Sequence, residues 1–204
     1  MKDVLWRRIT RLSPAARRLL EVIAVRGVPI EERLCFNLAE TGTAGPSLLA
    51  QLRSSLLVRA VRSGADGRVA CYHDQITETI HDRLDEATRS VHHVRLSQTL
   101  LGESDLNLQE LQDQLVEAAG GKGTVVGIGT LSVHTSISEA MFDIAVHYDA
   151  AGQSEQALPF ASAAASRAHR QFSLETAEHQ YRIAERGAAT VVSASTLPAR
   201  WATC

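Results

Sequence analysis

Aromatic side chains are scarce in this chain: four Phe, three Tyr and two Trp among 204 residues. A β-sandwich core draws heavily on Val, Ile, Tyr and Phe, so this scarcity, beside plentiful Ala, Leu and Arg, argues for packed helices. No stretch approaches the roughly 18 to 20 uncharged apolar residues that a membrane span needs. The opening Met1-Lys2-Asp3-Val4-Leu5-Trp6-Arg7-Arg8 lacks the apolar core of a signal peptide. Cysteines number three, Cys35, Cys71 and Cys204, odd and far apart. They read as free thiols of a reducing cytoplasm, with no CxxC pair to suggest zinc or redox chemistry. Kinase signatures are missing as well: there is no Gly-rich loop with its Lys, no H-R-D and no D-F-G.

What is present is a 45% hydrophobic chain, enough for a packed core. The formal net charge of −2 conceals a split. Residues 1–70 carry twelve Lys or Arg against six Asp or Glu, a net of +6; residues 71–204 carry nine against seventeen, a net of −8. Such a division orients modules against one another or marks a basic nucleic-acid face at the N-terminal end.

Helix signals begin at Ser13-Pro14, an N-cap followed by a proline at the first helical position. Leu19, Leu20, Ile23 and Ala24 share a face, Gly27 closes the helix and Pro29 follows as a stop. A second helix is predicted over Glu31–Glu40, burying Leu34, Cys35 and Leu38. A third starts near Pro46-Ser47, with Leu48, Leu49, Leu52, Leu56 and Leu57 as its apolar stripe. The period then changes. Leu57–Arg62 and Arg68–Tyr72, separated by the turn cluster Ser63-Gly64-Ala65-Asp66-Gly67, form a hairpin pattern. Three helices and a hairpin in this order spell a winged helix. Two more helices are predicted over His73–Leu84, inward at Ile76, Ile80 and Leu84, and Glu86–Leu101, inward at Val91, Val94, Leu96 and Leu100. Residues 106–119 suggest an acidic helix and 120–130 a glycine-rich loop. From Ile137 a helical pattern resumes: Ala140, Ile144, Ala145 and Tyr148, then a turn at 150–153. Ala157, Ala161, Ala164, Ala165 and Ala168 follow, then Leu174, Ala177, Tyr181 and Ala184. Helix pairs with small residues at their contact and a short Gly turn form a tetratricopeptide-like unit. The divisions expected are 1–101 for the winged-helix module with trailing helices, 102–136 for a linker or insertion, 137–186 for the repeat and 187–204 for a frayed tail.

Three constellations invite chemistry. In a P-loop, G-x-x-x-x-G-K-[ST], backbone N–H groups and the Lys surround phosphates. Here Gly121-Lys122 is followed by Gly123 in place of Ser or Thr, and Val116 stands where the first Gly belongs. Gly127-Ile128-Gly129-Thr130-Leu131-Ser132 likewise departs from G-x-G-x-x-G. The pairs His73-Asp74 and His81-Asp82 lie eight residues apart, about 80° off one helical face, a poor arrangement for shared metal ligation. They read better as a helix cap and as interface residues. Cys35 and Cys71 sit at core positions, where thiols behave as small hydrophobes. The sequence therefore offers no catalytic residue, no cofactor site and no metal site. A DNA-reading winged helix would present Arg, Lys, Asn or Gln from its third helix. This one offers Gln51 and Arg53, the wing supplies Arg59, Arg62 and Arg68, and the N-terminus Arg7, Arg8 and Arg11. Gln51, Arg53, Arg59, Arg62 and Arg68 are the candidate nucleic-acid or docking contacts.

The run Leu12-Ser13-Pro14-Ala15-Ala16-Arg17-Arg18-Leu19-Leu20-Glu21-Val22-Ile23-Ala24-Val25-Arg26-Gly27 resembles the helix that opens the winged-helix module of bacterial STAND-type signalling ATPases. Tyr72-His73-Asp74-Gln75-Ile76, with Arg89, His92 and His93, resembles the later part of that module. Ala145-Val146-His147-Tyr148-Asp149-Ala150-Ala151-Gly152, with Ala157 beyond, resembles the first repeat of the array these proteins carry next. The likeness spans residues 10–101 and 137–186. It implies a parent whose nucleotide-binding domain lies upstream, in bacterial relatives often behind a serine/threonine kinase domain. The glycine-bearing stretch at 120–130 departs from the family spacing. The array, too, stops after about one and a half units where roughly three are needed to cover apolar ends. The expectation is thus a mainly α fragment: a winged-helix-like module with a small β-hairpin, then an incomplete TPR-like repeat. Its role would be non-catalytic regulation through protein partners or other domains of its parent; the alternative is a DNA-binding transcriptional regulator.

Overall fold

The computed structural model describes residues 2–62, 67–104, 106 and 135–195. It is mainly helical, with one three-stranded antiparallel sheet among the described residues. Its contacts divide the chain into two units, residues 1–95 and 96–204, a boundary that falls inside a helix. The expected linker at 102–136, with its acidic helix and glycine run, lies almost wholly outside the described residues, as do the hairpin turn at 63–66 and Cys204.

The first unit opens with a helix the periodicity does not announce, α1 (Lys2–Thr10), whose one buried residue is Ile9. α2 (Pro14–Arg26) is capped as its sequence dictates: Ala16 N–H donates to Ser13 Oγ at 3.3 Å, and Gly27 leaves the helix at φ 72°. That left-handed conformation carries little cost without a Cβ. Next comes β1 (Ile30–Glu31), a third strand that two residues are too few to signal in sequence. α3 (Glu32–Leu38) buries Leu34, Cys35 and Leu38 as expected but ends short of Glu40. A single 3₁₀ turn, Gly42–Ala44, leads into α4 (Gly45–Ser54). α4 stops before Leu56, which adopts φ 53° and points into solvent, so only Leu49 and Leu52 of the predicted stripe are fully buried on this helix. Leu57 is buried beyond it, at the approach to the sheet. Strand order is β1-β3-β2, with β2 spanning Val58–Arg62 and β3 Gly67–Cys71. Ala60 and Ile30 both pair with Val69, whereas Glu31 and Val61 pair with Arg68.

α5 (Asp74–Arg83) is capped by His73, whose Nδ1 accepts from Gln75 N–H at 3.4 Å. α6 (Glu86–Glu103) is opened by Asp85, which takes both the Thr88 N–H, at 2.9 Å, and the Thr88 hydroxyl, at 2.7 Å. Its buried face differs from the expected one. Val91 is half exposed, while His92, His93, Leu96 and Ser97 are buried. Five residues along a helix amount to about 140° of rotation, so Val91 cannot share a face with Leu96; the positions three and four before Leu96 are the two histidines.

The second unit contains the end of α6 with α7 (Thr135–Ala150), α8 (Ser154–Arg170) and α9 (Leu174–Ser195). Its core joins Met141, Ile144, Ala145 and Tyr148 of α7 to Ala157, Phe160, Ala161 and Ala164 of α8 and Ile183 and Ala184 of α9. Tyr148 and Phe160 stack with centroids 6.1 Å apart. Gly152 turns the chain between α7 and α8 at φ 75°. α9 runs on past the expected end of the repeat at 186, and Gly187 lies where it touches α8. A Cβ there would overlap the Ser154 carbonyl oxygen and stand 2.9 Å from Leu158 Cβ. Residues 196–204 of the expected frayed tail lie outside the described residues.

Candidate functional site

The five candidate contact residues come from α4 and the hairpin, and the fold gives them unequal freedom. Gln51 is exposed on α4. Arg53, two residues on, is drawn back: its guanidinium forms a close ion pair with Glu32 at the start of α3. On the sheet, Arg59 is exposed on β2. Arg68 on β3 sets its guanidinium 3.7 Å from Oε1 of Glu31, its register partner on β1. Arg62 pairs with Gly67 through the backbone, and its side chain lies outside the described residues. Glu31 and Glu32 also line, with Arg33, Phe36 and Gly67, an open cleft of about 560 Å³. The basic surface read from the sequence is therefore interleaved with carboxylates, and two of its arginines are occupied by them. Of the N-terminal arginines, Arg8 donates to the Ser55 carbonyl oxygen at 2.7 Å.

Between α2 and α6 lies a polar cluster that the hydrophobic pattern gives no reason to expect. Glu21 of α2 is buried, with Arg17 Nε 2.9 Å from its Oε1 and His92 Nε2 3.5 Å from its Oε2. Burial pushes the Glu21 carboxyl up, but His92 and Arg17 outweigh it and hold the group below its ordinary range. Arg17 in turn lies over the Trp6 ring, 4.9 Å from its centroid, a cation–π contact that fixes α1. His93 is buried beside it, and desolvation, reinforced by His81, Arg89 and His92, pushes its imidazole down to about 4. His81 Nε2 donates to the Ala24 carbonyl oxygen at 3.3 Å. Asp82 pairs instead with Lys2 at 2.7 Å. The two His-Asp pairs thus serve separate structural ends. Among the described residues, no three His, Cys, Asp or Glu side chains group as a metal site requires. Burial pushes the Cys35 and Cys71 thiols up, keeping both protonated.

In the second unit, Asp149 at the end of α7 accepts from Arg186 of α9 at 3.0 and 2.5 Å and from the Ser154 hydroxyl at 3.0 Å. On the outer side of the unit a groove of about 470 Å³ is lined by His169, Leu174, Ala177, Glu178, Tyr181, Arg182 and Glu185. The sequence places Leu174 and Tyr181 in the core stripe of α9, yet both are exposed. The inward set is Ala177, Gln180, Ile183, Ala184 and Gly187. No helix among the described residues is long and apolar enough to cross a membrane. Compared with family models, curated proteins and solved structures, the chain matches none.

Proposed function

We propose that this chain is a non-catalytic regulatory and protein-docking segment: a winged-helix-like module leading into a TPR-like helical repeat. Its parent would be a cytoplasmic bacterial signalling ATPase of the STAND type, linked to a serine/threonine kinase. With no relative to carry a function across, the reading rests on the sequence resemblance and on one observation. Two of the four arginines that would read DNA already have a carboxylate of their own module beside them, Arg53 that of Glu32 and Arg68 that of Glu31. A carboxylate beside each guanidinium repels phosphate, and Glu32 also accepts a hydrogen bond that Arg53 would otherwise offer it. The element order supports the winged-helix reading: three helices, α2 to α4, a short strand between the first two, then a hairpin. The antiparallel α7, α8 and α9, packed through alanines and Gly187, support the repeat reading.

The second reading, a winged-helix DNA-binding regulator, is favoured by the exposed Gln51 and Arg59 on α4 and the wing. The parent is tested at the coding sequence immediately upstream of Met1. An in-frame P-loop or kinase motif there supports the proposal; a promoter and start signal contradict it. Saturable ATP binding by the purified chain would also contradict the non-catalytic reading.

A further inference from the structure

The end of the second unit carries an apolar surface that its own core does not use. Phe172 lies in the turn between α8 and α9, 88% exposed and at φ 59°. A bulky residue held in the left-handed region is strained, and Gly is the ordinary occupant of such a helix-ending position. The strain is not repaid by any packing of the ring. Two residues later, Leu174 is 63% exposed; Tyr181 follows at 46% and Val192 at 62%. Steps of seven and eleven residues depart from a whole number of turns by about 20° in opposite senses. Leu174, Tyr181 and Val192 therefore lie along one line of α9. Glu178 and Glu185 fall within about 40° of that line and, with Leu174 and Tyr181, line the groove.

We propose that this face of α9, entered at Phe172 and running through Leu174 and Tyr181 to Val192, docks a cationic amphipathic helix from a protein partner. The proposal rests on the protein-docking reading above and names the partner's chemistry. An apolar helix face seats in an apolar groove through anchors three, four and seven residues apart, and exposed aromatic residues at a groove are the usual anchors. The charge of the partner follows from the carboxylates. Arg182 is held by Glu178 at 2.6 Å, and Arg186 by Asp149 at 2.5 Å, which leaves Glu175 and Glu185 as further negative charge on this helix. The whole unit, residues 96–204, holds six Lys or Arg against twelve Asp or Glu. A second copy of the chain fits less well. Two such faces pressed together would bring Glu178 and Glu185 of both copies into one seam, with only the two Arg182 side chains to offset them.

The test presents the full chain to a displayed library of helical peptides with a fixed apolar face and randomised polar positions. The expected result is enrichment of peptides bearing Arg or Lys beside the apolar face. Their affinity falls about tenfold or more in Tyr181→Ala, falls in Glu178→Gln/Glu185→Gln, and is unchanged in Glu155→Gln on α8. Tyr181 and Phe172 are exposed, so the fold survives their replacement, and Phe172→Gly serves as a second variant that must weaken binding. Enrichment of acidic or neutral polar faces would overturn the proposal, as would capture indifferent to Tyr181→Ala and Phe172→Gly. Concentration-dependent dimerisation lost in Tyr181→Ala would also overturn it, the occupant then being a second copy. Failure of the docking reading itself would show separately, as DNA binding that falls steeply with salt.

Discussion

Burial of the His93 imidazole couples protonation to folding. It is buried on α6 and faces His81 from α5 with Arg89 and His92 from its own helix, so the folded chain keeps it neutral down to about pH 4. An unfolded histidine takes up its proton near pH 6.5. Stability is therefore full above that value and is lost as pH falls from 6.5 towards 4, by about 3 kcal/mol at the lower end. Urea unfolding at pH 7.5, 6, 5 and 4 should show the decline, and His93→Gln should flatten it. An unchanged slope in the variant would remove His93 as the cause. Glu21 responds in the same direction but at lower pH, since it is held below the usual carboxylate range by His92 and Arg17 against the effect of burial. Phe172 offers a contrasting residue-level prediction. Replacing it with Gly relieves the left-handed backbone, so Phe172→Gly should raise stability by about 1 kcal/mol while removing the proposed anchor. A melt showing destabilisation would contradict the strain argument.

At the scale of elements, caps and close approaches decide the outcome. Ser13→Ala removes the acceptor of the Ala16 N–H at the start of α2 and should cost about 1 kcal/mol in chemical unfolding. Gly187→Ala forces a methyl into the Ser154 carbonyl and Leu158, where α8 and α9 touch, and should cost about 1 to 3 kcal/mol. A neutral result there would mean that the two helices part without penalty. These two positions also mark what the sequence could and could not convey. Ser13-Pro14 and Gly27 are local signals, and α2 begins and ends where they say. Gly187 is a glycine for a different reason, the nearness of another helix, which no local signal conveys. α6 shows a third case. Its length is legible, but its inward face is set by Leu96, so His92 and His93 are buried and Val91 is not. β1 and α1 are too short or too weakly patterned to be seen. The candidate contacts were legible as residue types, but the pairing of Arg53 with Glu32 and Arg68 with Glu31 arises only when α3 and the sheet come together.

At the scale of the whole molecule, charge is the property that separates the two readings of function. The N-terminal 70 residues are net positive in sequence, which by itself favours nucleic acid. Folding changes what that charge can do, because carboxylates of the same module occupy part of it. Neutralising them by Glu31→Gln/Glu32→Gln should free both guanidiniums. The most direct measurement is the affinity of the full chain for random and mixed-sequence duplex DNA, by fluorescence anisotropy at two salt concentrations, for the wild type and for this double variant. A docking module predicts weak wild-type binding with a shallow dependence on salt, and tighter, more salt-sensitive binding once Arg53 and Arg68 are released. Tight wild-type binding that falls steeply with salt, and is abolished by Arg53→Ala/Arg68→Ala, would contradict the account.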